Sequence, residues 1–126
     1  MDDNQNKRAV IYCRAAPMSD AERSLSGQEN VLRREATQRG YEVVGVVKEN
    51  IGGAILDRSG IRELYALAEA GAMDMVLALS INHFVQNGLY MEVLHFVKKM
   101  ASHNVSAVTL CEGDLCAALP KLAELI

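Results

Sequence analysis

The 126-residue sequence contains no tryptophan, and its only aromatic residues are four tyrosines and two phenylalanines, so the core is expected to be aliphatic. It lacks a charge excess that would name a partner. Thirteen Lys and Arg against sixteen Asp and Glu give a net charge of −3, and nucleic-acid binding cannot be argued from charge alone. The balance is uneven, with nine basic and nine acidic residues in 1–60 but four and seven in 61–126, so a DNA partner would more plausibly meet the first half. A long apolar run is also missing. Met75–Met91 carries no Asp, Glu, Lys or Arg, yet Ser80, Asn82, His83, Gln86, Asn87 and Gly88 interrupt it, so no membrane span is expected. The three cysteines (Cys13, Cys111 and Cys116) are odd in number, and the polar start "MDDNQNKR" is unlike a secretory leader. A disulfide framework is therefore not expected, and a reducing cytoplasm is.

What is present alternates short β-branched runs with longer amphipathic ones. Residues 1–6 are expected to be a disordered lead-in, and 7–126 to form one domain. "RAVIYC" (8–13), "YEVVGVVK" (41–48), "DMVLAL" (74–79) and "VSAVTL" (105–110) read as strands; the third is continuously apolar, as in a strand buried on both faces. A helix is expected over 26–40, with Ser26 and Glu29 as a capping box and Gly40 as its stop. A second is expected over 59–71, ended by Gly71, and a third from about 88 to 102, while the tail after 114 looks helical but is interrupted by Pro120. This order implies an α/β fold: one three-layer domain, with a mainly parallel four- to five-stranded sheet and helices on both faces. Sites in such folds lie beyond the C-terminal strand ends, here Arg14–Asp20, Glu49–Arg58 and Ser80–Asn87.

Taken as residue types, these loops support plain readings as well as functional ones. Arg14 and Arg58 suit a phosphate, or an ion pair with Glu49 or Asp57. Gln28, placed in the first turn of the predicted helix, suits a structural role, and Cys13 a small buried hydrophobe. His83, His95 and His103 fall on separate elements, and the Cys111–Cys116 spacing matches no paired-ligand pattern, so neither metal nor cofactor is expected. The Gly52–Gly53 pair lacks the lysine of a phosphate loop.

"RAVIYCR", "SLSGQENVLRREATQRGYEVV" and "GGAILDRSGIREL", in this order and spacing, resemble the catalytic domain of the resolvase/invertase family of serine site-specific recombinases, over about residues 7–114. That resemblance implies a metal-free enzyme whose serine hydroxyl attacks a DNA phosphodiester while arginines stabilise the phosphoryl charge. It also implies where the residues stand. The arginine after the first strand is Arg14, but the nucleophile's position holds Ala16. The family's glutamine is Gln28, its second-loop acid Glu49, and the arginine of its "DR" pair Arg58. After the third strand, where the family reads Asp-Arg, two residues, then Arg, this chain has Asn82, His83 and Gln86. The resemblance thus implies a domain that does not cut DNA, acting as a DNA-associated or regulatory interaction domain. Arg14, Arg58 and Gln28 are its phosphate or DNA candidates, with Glu49 in support. The alternative is an active enzyme with a substitute nucleophile such as Ser19.

Expected partners are DNA held weakly through phosphates, and a second copy or an active relative. The segment "EGD" at 112–114 is followed by only twelve residues, so neither the family's long dimerising helix nor a C-terminal DNA-binding domain is expected. Any dimer would then use another surface, such as 75–91 and the helix after it.

Overall fold

The computed structural model describes residues 7–16, 20–50, 59–84 and 90–116. The elements run β1 (Arg8–Ala15), α1 (Ala21–Gln38), β2 (Glu42–Asn50), α2 (Ser59–Glu69), β3 (Met75–Ala78), α3 (Ile81–Phe84), α4 (Tyr90–Ala101), β4 (Ser106–Thr109) and β5 (Gly113–Asp114). The sheet order is β2-β1-β3-β4-β5, with the first four strands parallel and β5 antiparallel to β4. The central strands explain their own composition. Every residue of β1 after Arg8 and all of β3 are buried, because helices cover both faces of the sheet. Edge strand β2 has more exposed positions, and its register slips opposite Ala9 and Val10, leaving Val44 unpaired and 43% exposed.

From β1 the chain travels one way to β2, and from β2 back across the sheet to β3. With right-handed crossovers, α1 and α2 must then lie on opposite faces. The packing agrees. Leu25, Leu32 and Ala36 of α1 cluster with Ala9, Ile11, Cys13 and Leu77. On the other face, Ile61 and Leu64 of α2 and Val93, Phe96 and Val97 of α4 cluster with Val10, Tyr12, Val47 and Val76.

This second face corrects the expectation of an aliphatic core. Tyr12 stacks on Phe84 with centroids 5.4 Å apart, Phe84 on Phe96 at 4.7 Å, and Tyr65 meets Phe96 at 5.9 Å. Four of the six aromatic residues therefore converge on one layer. Their scarcity in the sequence does not keep them from the core.

α1 also begins five residues earlier than the capping-box reading placed it. Ser26 is an exposed residue within the helix, and Asp20 holds the N-cap position without a side-chain cap. At the other end the reading holds. Gly40 takes φ 79°, and the Gly40→Thr37 and Tyr41→Ala36 backbone bonds close a Schellman turn. The same pattern ends α2 at Gly71 and α4 at Asn104. At the N-terminal sheet edge, Asp74 accepts the Arg8 backbone N–H at 2.8 Å and two guanidinium bonds, joining the starts of β1 and β3. Those bonds hold the Asp74 carboxyl below its ordinary range.

Candidate functional site

The direction of chain travel reverses between β1 and β3, and in open α/β sheets sites lie beyond the C-terminal strand ends at such a reversal. Arg14, Ala15 and Ala16 leave β1 there, and Ser80, Asn82 and His83 leave β3. Glu49 comes in from β2 and Gln28 from α1. The structure therefore gathers Arg14, Ala16, Gln28, Glu49, Asn82 and His83 at one sheet edge. Arg58, Gln86 and Ser19, together with the Gly52–Gly53 pair and Pro120, lie outside the described residues.

Arg14 is buried, only 9% exposed, and is held at both its backbone and its side chain. Its backbone N–H donates to Gln28 Oε1 at 3.2 Å, and Gln28 Nε2 donates back to the Arg14 carbonyl at 3.0 Å. The Gln28 amide donates to Ser24 Oγ as well, at 3.2 Å. The early start of α1 matters here. Gln28 sits in the second turn, not the first, on the buried stripe with Ala21, Leu25, Leu32 and Ala36, and it replaces the strand bonds that β1 loses at its end. The Arg14 guanidinium points to the other face of the sheet. Nε donates to the His83 carbonyl at 3.1 Å and Nη2 to the Asn82 carbonyl at 2.9 Å. Arg14 thus ties α3 to the end of β1. In the ordinary surface ion pair expected of such a residue, it would instead be exposed.

Glu49 is equally enclosed, 5% exposed. Its Oε1 accepts the Tyr12 hydroxyl at 2.5 Å and its Oε2 the Gly60 backbone N–H at 2.9 Å, which places a carboxylate at the N-terminus of α2. A second carboxylate at this edge, Glu112, accepts Thr109 Oγ1 at 2.7 Å and the Ile81 backbone N–H at 2.8 Å, fixing the start of α3. The sequence reading missed the parts played by Tyr12 and Glu112. For Tyr12, a lone hydroxyl within the apolar run "VIYC" was the available signal.

The electrostatics follow from the packing. Burial, and then the neighbouring Arg14 guanidinium, hold His83 below its ordinary pKa of 6.5, while Glu112 pulls the other way. Its imidazole is neutral at neutral pH and supplies no cation. Cys13 lies on the opposite face under α1, where burial pushes its thiol up to about 11 and leaves it unreactive. The exposed methyl at Ala16 has no lone pair to offer. Ser80, at the same edge, accepts the Asn82 backbone N–H on its hydroxyl oxygen at 3.2 Å. Among the described residues no three His, Cys, Asp or Glu side chains group as metal ligands.

Within the segment 75–91, Met75–Ala78 lie inside the sheet, Phe84 is in the core and Met91 is 71% exposed; residues 85–89 lie outside the described residues. No helix among the described residues is long and apolar enough to cross a membrane.

Comparison with known proteins places this geometry. The family model "Resolvase, N terminal domain" matches residues 9–121. The C-terminal catalytic domain of ISC1926 TnpA, an IS607-like serine recombinase, is 30% identical with a TM-score of 0.73, over 82% of this chain and 69% of that one. The N-terminal catalytic domain of TP901-1 integrase is 22% identical with a TM-score of 0.77, over 93% and 88% of the two chains. A resolvase family site-specific recombinase from Streptococcus pneumoniae is 20% identical with a TM-score of 0.76, over 95% and 87%. At those two identities the likeness is one of fold.

Proposed function

The chain belongs to the resolvase family through the N-terminal domain matched over residues 9–121, and from that membership we propose a recombinase-type domain that keeps the fold without the cutting chemistry, and acts as a DNA-associated or regulatory domain. Strand cleavage by the family's route needs a hydroxyl that becomes a phosphoester and cations aimed at the charge that develops on the phosphoryl oxygens. The observation that carries the proposal is Ala16 at the end of β1, where the resemblance puts the nucleophile. Two further observations support it. Asn82 and a neutral His83 stand where the family has an acid and an arginine. Arg14, at the position of the family's arginine after the first strand, directs Nε and Nη2 at main-chain carbonyls.

The test is a search for a covalent adduct. The protein is incubated with pooled duplexes of random sequence, quenched in detergent, and examined on a denaturing gel for DNA that migrates with protein. The expected result is none. An adduct that Ser19→Ala abolishes would establish the rival reading, an active enzyme with a substitute nucleophile.

A further inference from the structure

α1 buries one stripe against the sheet: Ala21, Leu25, Gln28, Leu32 and Ala36. Successive residues of a helix are about 100° apart, so Arg23, Ser26, Asn30, Arg33, Arg34 and Thr37 fall together on the opposite side within an arc of about 100°. All six are exposed. Three are arginines, the others are small and polar, and no carboxylate lies within the arc. The helix's acids flank it, and two of the three are already compensated. Glu29 accepts Lys48 Nζ at 2.6 Å and Arg33 Nε at 2.7 Å, and Glu35 pairs with Arg39 at 3.4 Å. Arg23 and Arg34 form no ion pair or hydrogen bond among the described residues.

Gly27 is a second, independent feature of the same side, four residues after Arg23 and seven before Arg34. A glycine inside a helix costs about 1 kcal/mol relative to alanine. Nothing in the chain comes within 4 Å of where its Cβ would stand, so no internal packing calls for it. It leaves the helix surface open to close approach between two free guanidinium groups. Arg23 and Arg34, eleven residues apart, are separated by about 16 Å along the axis and therefore meet different phosphates.

We propose that the outward face of α1, centred on Arg23, Asn30 and Arg34, is a surface for the phosphate backbone of duplex DNA. The inference rests on the DNA-associated reading above and relocates its contact. Arg14 is occupied inside the fold, and among the described residues the helix behind it carries exposed cations that can reach a phosphate. Guanidinium groups on one polar helix face position a backbone without reading bases, so binding is independent of sequence and strongly dependent on salt.

The experiment is fluorescence anisotropy of a labelled mixed-sequence duplex, titrated with the whole chain at about 50 and 200 mM salt. Two phosphate contacts, from Arg23 and Arg34, predict an affinity that falls by about 12-fold over that range; R23A/R34A binds more weakly and loses most of that salt dependence. Both positions are exposed, and alanine favours helix, so the variant keeps the fold. A charge-matched K98A/K99A variant on α4, across the sheet, binds as the wild type does. If R23A/R34A matches the wild type, or K98A/K99A falls equally, the α1 surface is wrong while DNA association stands. If the wild type does not bind even at the lower salt, the DNA-associated reading fails and this surface with it.

Discussion

Replacing Gly60 by alanine is a one-methyl change with a large expected effect. The position is in the first turn of α2, directly over the Glu49 carboxylate. A Cβ built there stands 2.5 Å from Glu49 Oε1 and closer still to Cγ and Cδ. The carboxylate has no easy retreat. It is 5% exposed, and the Tyr12 hydroxyl and the Gly60 N–H hold its two oxygens. Moving it forfeits at least one hydrogen bond to a charged group, about 1.5–3 kcal/mol, and overpacking a filled site costs about 1–3 kcal/mol. Against this stands about 1 kcal/mol for alanine over glycine in a helix. The net expectation is destabilisation by about 1.5–5 kcal/mol, read as a lowered urea midpoint at unchanged slope. In a Glu49→Ala background the clash is gone, so the same substitution should cost little or stabilise slightly. A Gly60→Ala variant as stable as the wild type, or equal effects in both backgrounds, would refute this account of the Tyr12–Glu49–Gly60 contact.

Other consequences are also measurable. Gln28→Ala strips partners from both the N–H and the carbonyl of buried Arg14 and should lower stability by about 2–4 kcal/mol in urea unfolding. His83 has a folded pKa below 6.5, so the unfolded chain binds the proton first. Its contribution to stability is full above about pH 6.5 and declines as pH falls toward the folded value, and the urea midpoint of wild type relative to His83→Gln should show that decline. A thiol reagent at mildly alkaline pH should label exposed Cys111 and Cys116 in the native protein, and Cys13 only after unfolding.

The strand and helix order was legible because it rests on periodicity: continuous apolar runs for β1 and β3, and the stripe Ile61, Leu64 and Ala68 for α2. The start of α1 was not. Its buried stripe from Ala21 includes a glutamine, and the polar Ser26–Glu29 pair inside the helix imitates a cap. Elements as short as α3 and β5 carry too few residues to show a period. Arg14 was marked by its place at a strand end and Gln28, Glu49, Asn82 and His83 by what the resemblance implied, yet their employment was hidden. Whether Arg14 meets a phosphate or two carbonyls depends on how α3 folds back over β1, a contact between residues about 70 positions apart. The outward face of α1 was visible as a helical pattern, but only the early start of the helix brings Arg23 into it.

The central claim, that the cutting chemistry is absent and not merely missing one atom, is tested most directly by Ala16→Ser alone. The variant restores a hydroxyl at the end of β1 but leaves Asn82 and neutral His83 beside it. Mixed with pooled random-sequence duplexes and quenched in detergent, it should yield no covalent protein–DNA adduct, like the wild type. An adduct formed by this single variant would contradict the account, because it would mean that the groups after β3 still stabilise the reacting phosphate.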